Sequence, residues 1–395
     1  MIRRFPVLVL RLSRTPRHLA SSAGLVHGRQ LSSGIRAQSA VYTETGEPSK
    51  VLRVVSHDLA SADTLTGTQA IIRMLAAPVN PSDLNQIEGV YPVKGRFIDG
   101  LVDDGAGAAI GGNEGVAEVV AAGPLSKLQP GDWVVPHRAG AFGTWATHAV
   151  VPDTELIVIP AEWRGGRVRA LDVASVKVNP STAYRMLRDF GRLDPGDYVV
   201  QNGANSGVGR AVIQLARQMG VRTVNVVRDR DDFDRLEDEL LRLGADVVVK
   251  DKELGDPAVK DRLKALDGPV RLGFNCVGGR STLAMTKFLS PGATLVSYGG
   301  MSRQPVTMPT SLLLFKDISA CGFWMNRWYS AHMDSPERAH MWHDILRLVA
   351  DGCFVSQPMT EIEWPASLST ALVEERVRQA VAWAAGNKHA FVFKS

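Results

Sequence analysis

Between residues 194 and 324 the apolar positions switch repeatedly between two periods. Residues 198–201 form a short apolar run after the turn residues Asp194, Pro195 and Gly196, which predicts a buried strand. Val212, Ile213, Leu215, Ala216 and Met219 then recur at helical spacing and stop at Gly220, which predicts a helix over 210–219. The same exchange continues down the chain. It predicts a β-branched strand at 223–227, a helix at 233–243, a strand at 246–249 and a helix at 256–266. A strand ending at Asn275, a helix after Gly279, a strand at 293–298 and an apolar strand at 318–324 complete the series. Such alternation specifies an α/β fold, a parallel sheet with helices on both faces.

The flanking regions read differently. Residues 69–75, 115–120, 133–136 and 144–151 are short alternating runs separated by glycine and proline turns, the pattern of a β-rich domain. Residues 181–187 look helical and lead into the alternating unit. The last 65 or so residues contain helical runs at 341–349 and 368–385 and end in a strand-like 390–394, so this tail is expected to return to the first domain. We therefore expect a β-rich domain from 41–171 and 330–395 around a parallel-sheet domain at 172–329. No internal repeat is visible.

Composition changes the picture mainly at the N-terminus. The first forty residues hold seven arginines, six serines and no acidic residue, the composition of a mitochondrial transit peptide. Without those arginines the formal charge of +4 becomes −3, so the basic balance belongs to the leader and the body gives no reason to expect nucleic acid. The longest apolar run there, 5–10, is too short to span a membrane. Cys276, Cys321 and Cys353 are far apart, as suits small buried hydrophobes rather than a disulfide framework or a zinc finger.

Candidate chemistry centres on Asn202 to Gly209, where Gly203, Gly207 and Gly209 sit between the first predicted strand and its helix. Glycine lets the backbone turn sharply and lets a diphosphate approach the positive helix N-terminus, which is how a dinucleotide fold opens. At the end of the second strand stand Arg228, Asp229 and Arg230. An acidic residue there would hold the ribose hydroxyls of NADH, and arginine would pair with the 2′-phosphate of NADPH. Two arginines favour NADPH, while a solvated charge run before the next helix is the competing account.

Several segments, taken together, carry a resemblance. Val79 to Asn85 (VNPSDLN), Gly111 to Val116 (GGNEGV), Val178 to Tyr184 (VNPSTAY), the glycine turn, Asn275 to Gly279 (NCVGG), Tyr298 to Met301 (YGGM) and Gly322 to Met325 (GFWM) resemble mitochondrial trans-2-enoyl-thioester reductases. These form a zinc-free branch of the medium-chain dehydrogenase/reductase superfamily. The resemblance implies a β-rich GroES-like catalytic domain plus a doubly wound Rossmann cofactor domain. It implies NADPH-dependent reduction of an enoyl-CoA or enoyl-acyl carrier protein in mitochondrial fatty acid synthesis, with hydride to the β-carbon and a proton to the α-carbon. By the same resemblance Tyr91 is the proton donor. Asn179 faces the nicotinamide, and Asn205, Ser206, Gly207 and Val208 form the diphosphate turn. Arg228, Asp229 and Arg230 hold the adenosine phosphate end. Tyr298, Gly299, Gly300 and Met301, with Phe323, Trp324 and Met325, gather at the cofactor from strand ends, and Lys388 reaches back to it. A homodimer through the edge strand near residues 318–324 is implied as well.

Zinc can be argued from residue chemistry. Where zinc-binding members of the superfamily carry a cysteine, a histidine and a third ligand, this chain has Asn80, Asn113 and Val178, none of which ligates zinc. His57, His137 and His148 have no partner at ligand spacing. Without a Lewis acid, reduction of a conjugated carbon–carbon double bond fits better than alcohol oxidation.

Two features depart from the resemblance. Residues 92–110 form a longer, glycine-rich acidic stretch beside Tyr91, expected to be a loop, and Lys177 stands where relatives have a glycine. Two other functions stay open at this level: a zinc-free NADPH quinone oxidoreductase, and a non-catalytic NADPH-binding interaction protein.

Overall fold

The computed structural model describes residues 34–102, 105–333, 335–382 and 388–394. Among these residues three sheets form. The first is parallel throughout and has six strands: Val247–Lys250, Arg222–Val227, Tyr198–Asn202, Val270–Asn275, Thr294–Ser297 and Ser319–Gly322. Numbered in chain order the strands run 3-2-1-4-5-6, the doubly wound arrangement, so the order reverses between Tyr198–Asn202 and Val270–Asn275. Helices Gly207–Gln218, Phe233–Leu243, Pro257–Lys264 and Gly279–Thr286 make the crossovers. Their ends follow local chemistry. The Ser206 side chain accepts from Gly209 N to start the first, and left-handed Gly244 (φ 106°) stops the second.

The second sheet has seven strands, including Gln69–Pro78, Val116–Ala122, Trp133–Pro136, His148–Pro152 and Leu156–Ile159. The C-terminal strand Lys388–Lys394 joins it, with Ala390 opposite Pro78 and Val392 opposite Ala76 in antiparallel register, and Met359–Pro365 pairs with it in parallel. The C-terminal strand thus lies beside Gln69–Pro78 in this sheet. One apolar core runs from Ala76, Val116 and Ala390 of this sheet to Val199 and Phe274 of the parallel sheet. It passes through helices Ala170–Ser175, Asn179–Asp189 and Pro336–Ala350, which contribute to the same core.

The third sheet corrects two expectations. Its strand Arg36–Tyr42 pairs with Arg53–Asp58, and residues 37–42 are buried. The folded body therefore begins inside the stretch read as leader, because Ala37, Ala40 and Val41 supply core contacts that composition does not reveal. Residues 1–33 of the expected leader lie outside the described residues. The acidic stretch after Tyr91 is not wholly loop either: Phe97–Ile98 and Ala108–Ile110 form a small hairpin that extends this sheet. Helices Pro81–Ile87, Thr310–Lys316 and Met325–Ala331 are additions to the expected elements. The strand expected at 318–324 is shorter, Ser319–Gly322, and mostly exposed rather than buried.

Candidate active site

The reversal in strand order opens a crevice at the C-terminal ends of Tyr198–Asn202 and Val270–Asn275, the place where doubly wound sheets bind ligands. Asn202 ties the two strands together there. Its Nδ2 donates to Asn275 Oδ1 at 2.9 Å, and its Oδ1 accepts from Cys276 N at 2.8 Å. Gly203 then turns the chain with φ +60°, and the helix begins at Gly207. A Cβ on Gly209 would lie 2.5 Å from Ala204 O, so glycine is what lets helix and turn approach this closely.

A cleft of about 800 Å³ extends from this turn to the seven-stranded sheet. It collects Tyr91, Asn179, Ser206, Gly207 and Val208 with Tyr298 to Met301, Phe323, Trp324, Met325 and Lys388. Asn205 sits in the turn, its carbonyl accepting from Arg210 Nε at 3.0 Å, and does not line the cleft. Arg228, Asp229 and Arg230 lie beyond it, exposed at the end of Arg222–Val227. Ser82, Asn85, Glu88, Thr182, Cys276, Arg303 and Gln357 also line the cleft and were not singled out by sequence. Asn85 and Ser82 fall within the VNPSDLN motif, which was signal enough to find them. Arg303 and Gln357 carried none.

Tyr91 and Trp324 meet across the cleft from opposite domains. The Trp324 indole Nε1 donates to Tyr91 Oη at 2.8 Å, and the rings are T-shaped at 6.1 Å and 83°. Burial pushes the phenol's pKa up and the negative field of Asp83 adds to this, while the indole N–H opposes both. The phenol is thus held neutral, with its oxygen aimed into the cleft region and already matched to one donor.

The three positions that would hold zinc in other superfamily members form a buried polar network here. Asn80 Nδ2 donates to Glu114 Oε2 at 2.8 Å, and Glu114 Oε1 accepts from Val178 N at 2.7 Å. Asn113 Nδ2 donates to Asp83 Oδ1 and Gln86 Oε1 at 2.9 and 2.8 Å. A positive charge facing both carboxyls is the buried Lys388 ammonium, whose pKa burial lowers while Glu114 and Asp83 favour its charged form. Burial raises Glu114, and it lifts Asp83 to about 6 against the hydrogen bonds from Asn113 and Asn80. Amides, carboxyls and an ammonium thus satisfy one another at these positions, and no cluster of metal-ligating residues occurs among the described residues.

Residues 66–161 match the model of the alcohol dehydrogenase GroES-like domain, and residues 207–347 match that of the zinc-binding dehydrogenase. The mitochondrial enoyl-acyl-carrier-protein reductase of Xenopus tropicalis is 43% identical over 332 residues, 83% of this chain and 89% of the relative. This chain belongs to the mitochondrial enoyl-acyl-carrier-protein reductase family. Among solved structures, the complex of the reductase Etr1p with NADP and crotonyl-CoA superposes with a TM-score of 0.83 at 34% identity, over 91% of this chain and all of that one. The Etr1p/Etr2p heterodimer of the mitochondrial 2-enoyl thioester reductase from Candida tropicalis does so with 0.83 at 33%, over the same shares.

The residues of the glycine turn and the cleft suit a dinucleotide. The glycine turn leaves the backbone bare where a diphosphate would lie, the helix points its N-terminus there, and the cleft has the volume of a small-molecule site. At the end of Arg222–Val227 the Asp229 carboxylate is paired with Lys252 at 2.6 Å, which lowers its pKa. Arg230 is paired with Asp232, whereas Arg228 is exposed and has no ion-pair partner among the described residues. At the cleft mouth Glu88 of one domain and Arg303 of the other approach to 3.7 Å.

Proposed function

We propose that this chain is an NADPH-dependent reductase that converts trans-2-enoyl thioesters of coenzyme A or acyl carrier protein to saturated acyl thioesters in mitochondria. The observation that carries the reading is the Tyr91–Trp324 pair at 2.8 Å, lining the same cleft as the diphosphate turn in a chain whose metal positions hold Asn80, Asn113 and Val178. We read residues 36–171 and 330–395 as the catalytic domain and 172–329 as the cofactor domain.

Bound NADPH supplies the hydride. The turn at Ser206, Gly207 and Val208 anchors its diphosphate, Arg228 takes the 2′-phosphate, and Asn179 orients the nicotinamide side. Tyr91 stands at the acceptor side with a proton to give. As charge develops on the thioester enolate, the phenol donates a hydrogen bond to it and then the proton to the α-carbon. The Trp324 N–H steadies the phenolate that results. Lys388, Asp83 and Glu114 brace the floor of the cleft without exchanging a proton with substrate.

Turnover of trans-2-hexenoyl-CoA by the chain freed of its leader, with Tyr91→Phe alongside, tests this. Robust NADPH oxidation that falls at least about tenfold in the variant is expected, a loss of roughly 1.4 kcal/mol of transition-state stabilisation. Turnover of a quinone in preference to the enoyl thioester would overturn the substrate class, and an unchanged rate in Tyr91→Phe would remove the phenol as donor.

The chain also pairs with a second copy along the exposed edge Ser319–Gly322, beside which Leu314 and Phe315 stand 70% and 83% exposed. Light scattering on the purified protein should give the mass of two chains, and a monomer throughout would refute this.

A further inference from the structure

Residues 353–358 carry the chain from helix Pro336–Ala350 to the strand Met359–Pro365, and they pass over the cofactor helix Gly207–Gln218. Gln214 on that helix fastens them. Its Nε2 donates to Val355 O at 3.0 Å and its Oε1 accepts from Val355 N at 2.7 Å. Two opposed hydrogen bonds to one residue fix both the orientation of the buried amide and the position of the segment against the helix. Two residues further on, the side chain of Gln357 is brought over the start of that helix.

Its placement there is close. A Cβ on Gly207 would lie 2.4 Å from Gln357 Oε1 and 2.6 Å from Asn179 Nδ2, so two carboxamides crowd the first residue of the helix. Both side chains line the cleft. Gln357 Oε1 is buried and has no hydrogen-bond partner among the described residues. The space on its other side, between Ser175, Gln214 and Phe354, is about 10 Å³, at the lower limit for a single water. Buried acceptors are normally matched by a donor, and this one points to where a ligand would supply it.

The chemistry of the cofactor narrows which donor that is. A diphosphate at the helix N-terminus carries no hydrogen to give. The next unit along NADPH towards Asn179 is the ribose that joins the diphosphate to the nicotinamide, and its hydroxyls are donors. We propose that Gln357 is a cofactor-binding residue whose amide oxygen accepts a hydrogen bond from a hydroxyl of the nicotinamide ribose, held in place by the Gln214–Val355 clamp. It rests on the reading of the cleft as an NADPH site. It adds to that site a contact from the C-terminal segment, which the glycine turn and the arginines do not supply.

Equilibrium binding of NADPH and of 2′,5′-ADP to the full chain and to Gln357→Leu tests the assignment. 2′,5′-ADP carries the adenosine phosphate end and lacks the nicotinamide ribose. The leucine variant should bind NADPH about five- to tenfold more weakly, the loss of one hydrogen bond, and 2′,5′-ADP as the unmodified chain does. In turnover, its KM for NADPH should rise by the same factor while KM for the enoyl thioester stays constant. Unchanged NADPH affinity would overturn the contact. Equal losses for NADPH and 2′,5′-ADP would overturn it too, because they would report a disturbed domain rather than a missing acceptor. Failure of the unmodified chain to bind NADPH would overturn the parent reading and this one with it, an outcome distinct from an effect confined to the variant.

Discussion

Replacing Trp324 by phenylalanine removes one N–H and keeps most of a ring. In the folded chain that N–H donates to Tyr91 Oη at 2.8 Å, and the two rings meet edge to face. Before proton transfer the phenol is neutral, and a hydrogen bond to it contributes about 1 kcal/mol. Once the proton has moved to the α-carbon the oxygen is an anion, and the same bond contributes about 1.5–3 kcal/mol. The indole therefore favours the transferring state over the resting state by roughly 0.5–2 kcal/mol, and Trp324→Phe should lower kcat about two- to thirtyfold where proton transfer limits the rate. The assay is loss of nicotinamide absorbance with trans-2-hexenoyl-CoA at saturating NADPH, for the parent, Trp324→Phe, Tyr91→Phe and the double variant. If the indole acts through the phenol, its replacement costs nothing further once Tyr91 is phenylalanine. Additive losses would refute the reasoning, since they would mean that Trp324 acts on substrate or cofactor independently of Tyr91.

Arg228→Ala should raise KM for NADPH by about tenfold or more and leave KM for NADH nearly unchanged, because Arg228 has no ion-pair partner among the described residues and Asp229 is engaged by Lys252; equal effects on both cofactors would contradict this. Gly209→Ala places a methyl 2.5 Å from Ala204 O, a backbone atom that cannot swing away, so denaturant melts should show a loss of about 1–3 kcal/mol and NADPH binding should weaken; a melt like the parent's would count against the packing argument. Burial pushes the Lys177 ammonium from its ordinary 10.5 down to about 7, although Glu114 faces it and favours the charge. Between those values the unfolded chain holds the proton and the folded chain does not, so this group makes stability rise with pH through that window, by at most about 1.4 kcal/mol per unit. Lys177→Met, which also gives up the bond to Pro136 O at 2.8 Å, should flatten that rise; urea midpoints with the same pH slope in both proteins would refute it.

Local features of the chain were enough to specify the cofactor domain. The exchange of two-residue and 3.6-residue periods, with glycine at helix ends, marked all six strands and every crossover helix but Thr310–Lys316, because period and capping depend on each residue's own neighbours along the chain. The chemistry that excludes zinc could be read there too, since Asn80, Asn113 and Val178 are poor ligands in any arrangement. Tertiary structure decided the rest. A strand as short as Phe97–Ile98 has too few residues to show a period, and Ser319–Gly322 lies at a sheet edge where burial no longer follows hydropathy. Lys388 follows a Gly-Asn turn sequence that suggests solvent, yet it is buried against Glu114 and Asp83, which lie far away in the chain. Asp229 stands between two arginines in the sequence, and its ion pair with Lys252, 23 positions on, appears only in the folded chain. Tyr91 and Trp324 are 233 positions apart, and Gln214 reaches Val355 across 141. Periodicity reports how each residue is buried, but it holds no information about which distant side chain completes its hydrogen bonds, and that pairing is set when the two domains pack.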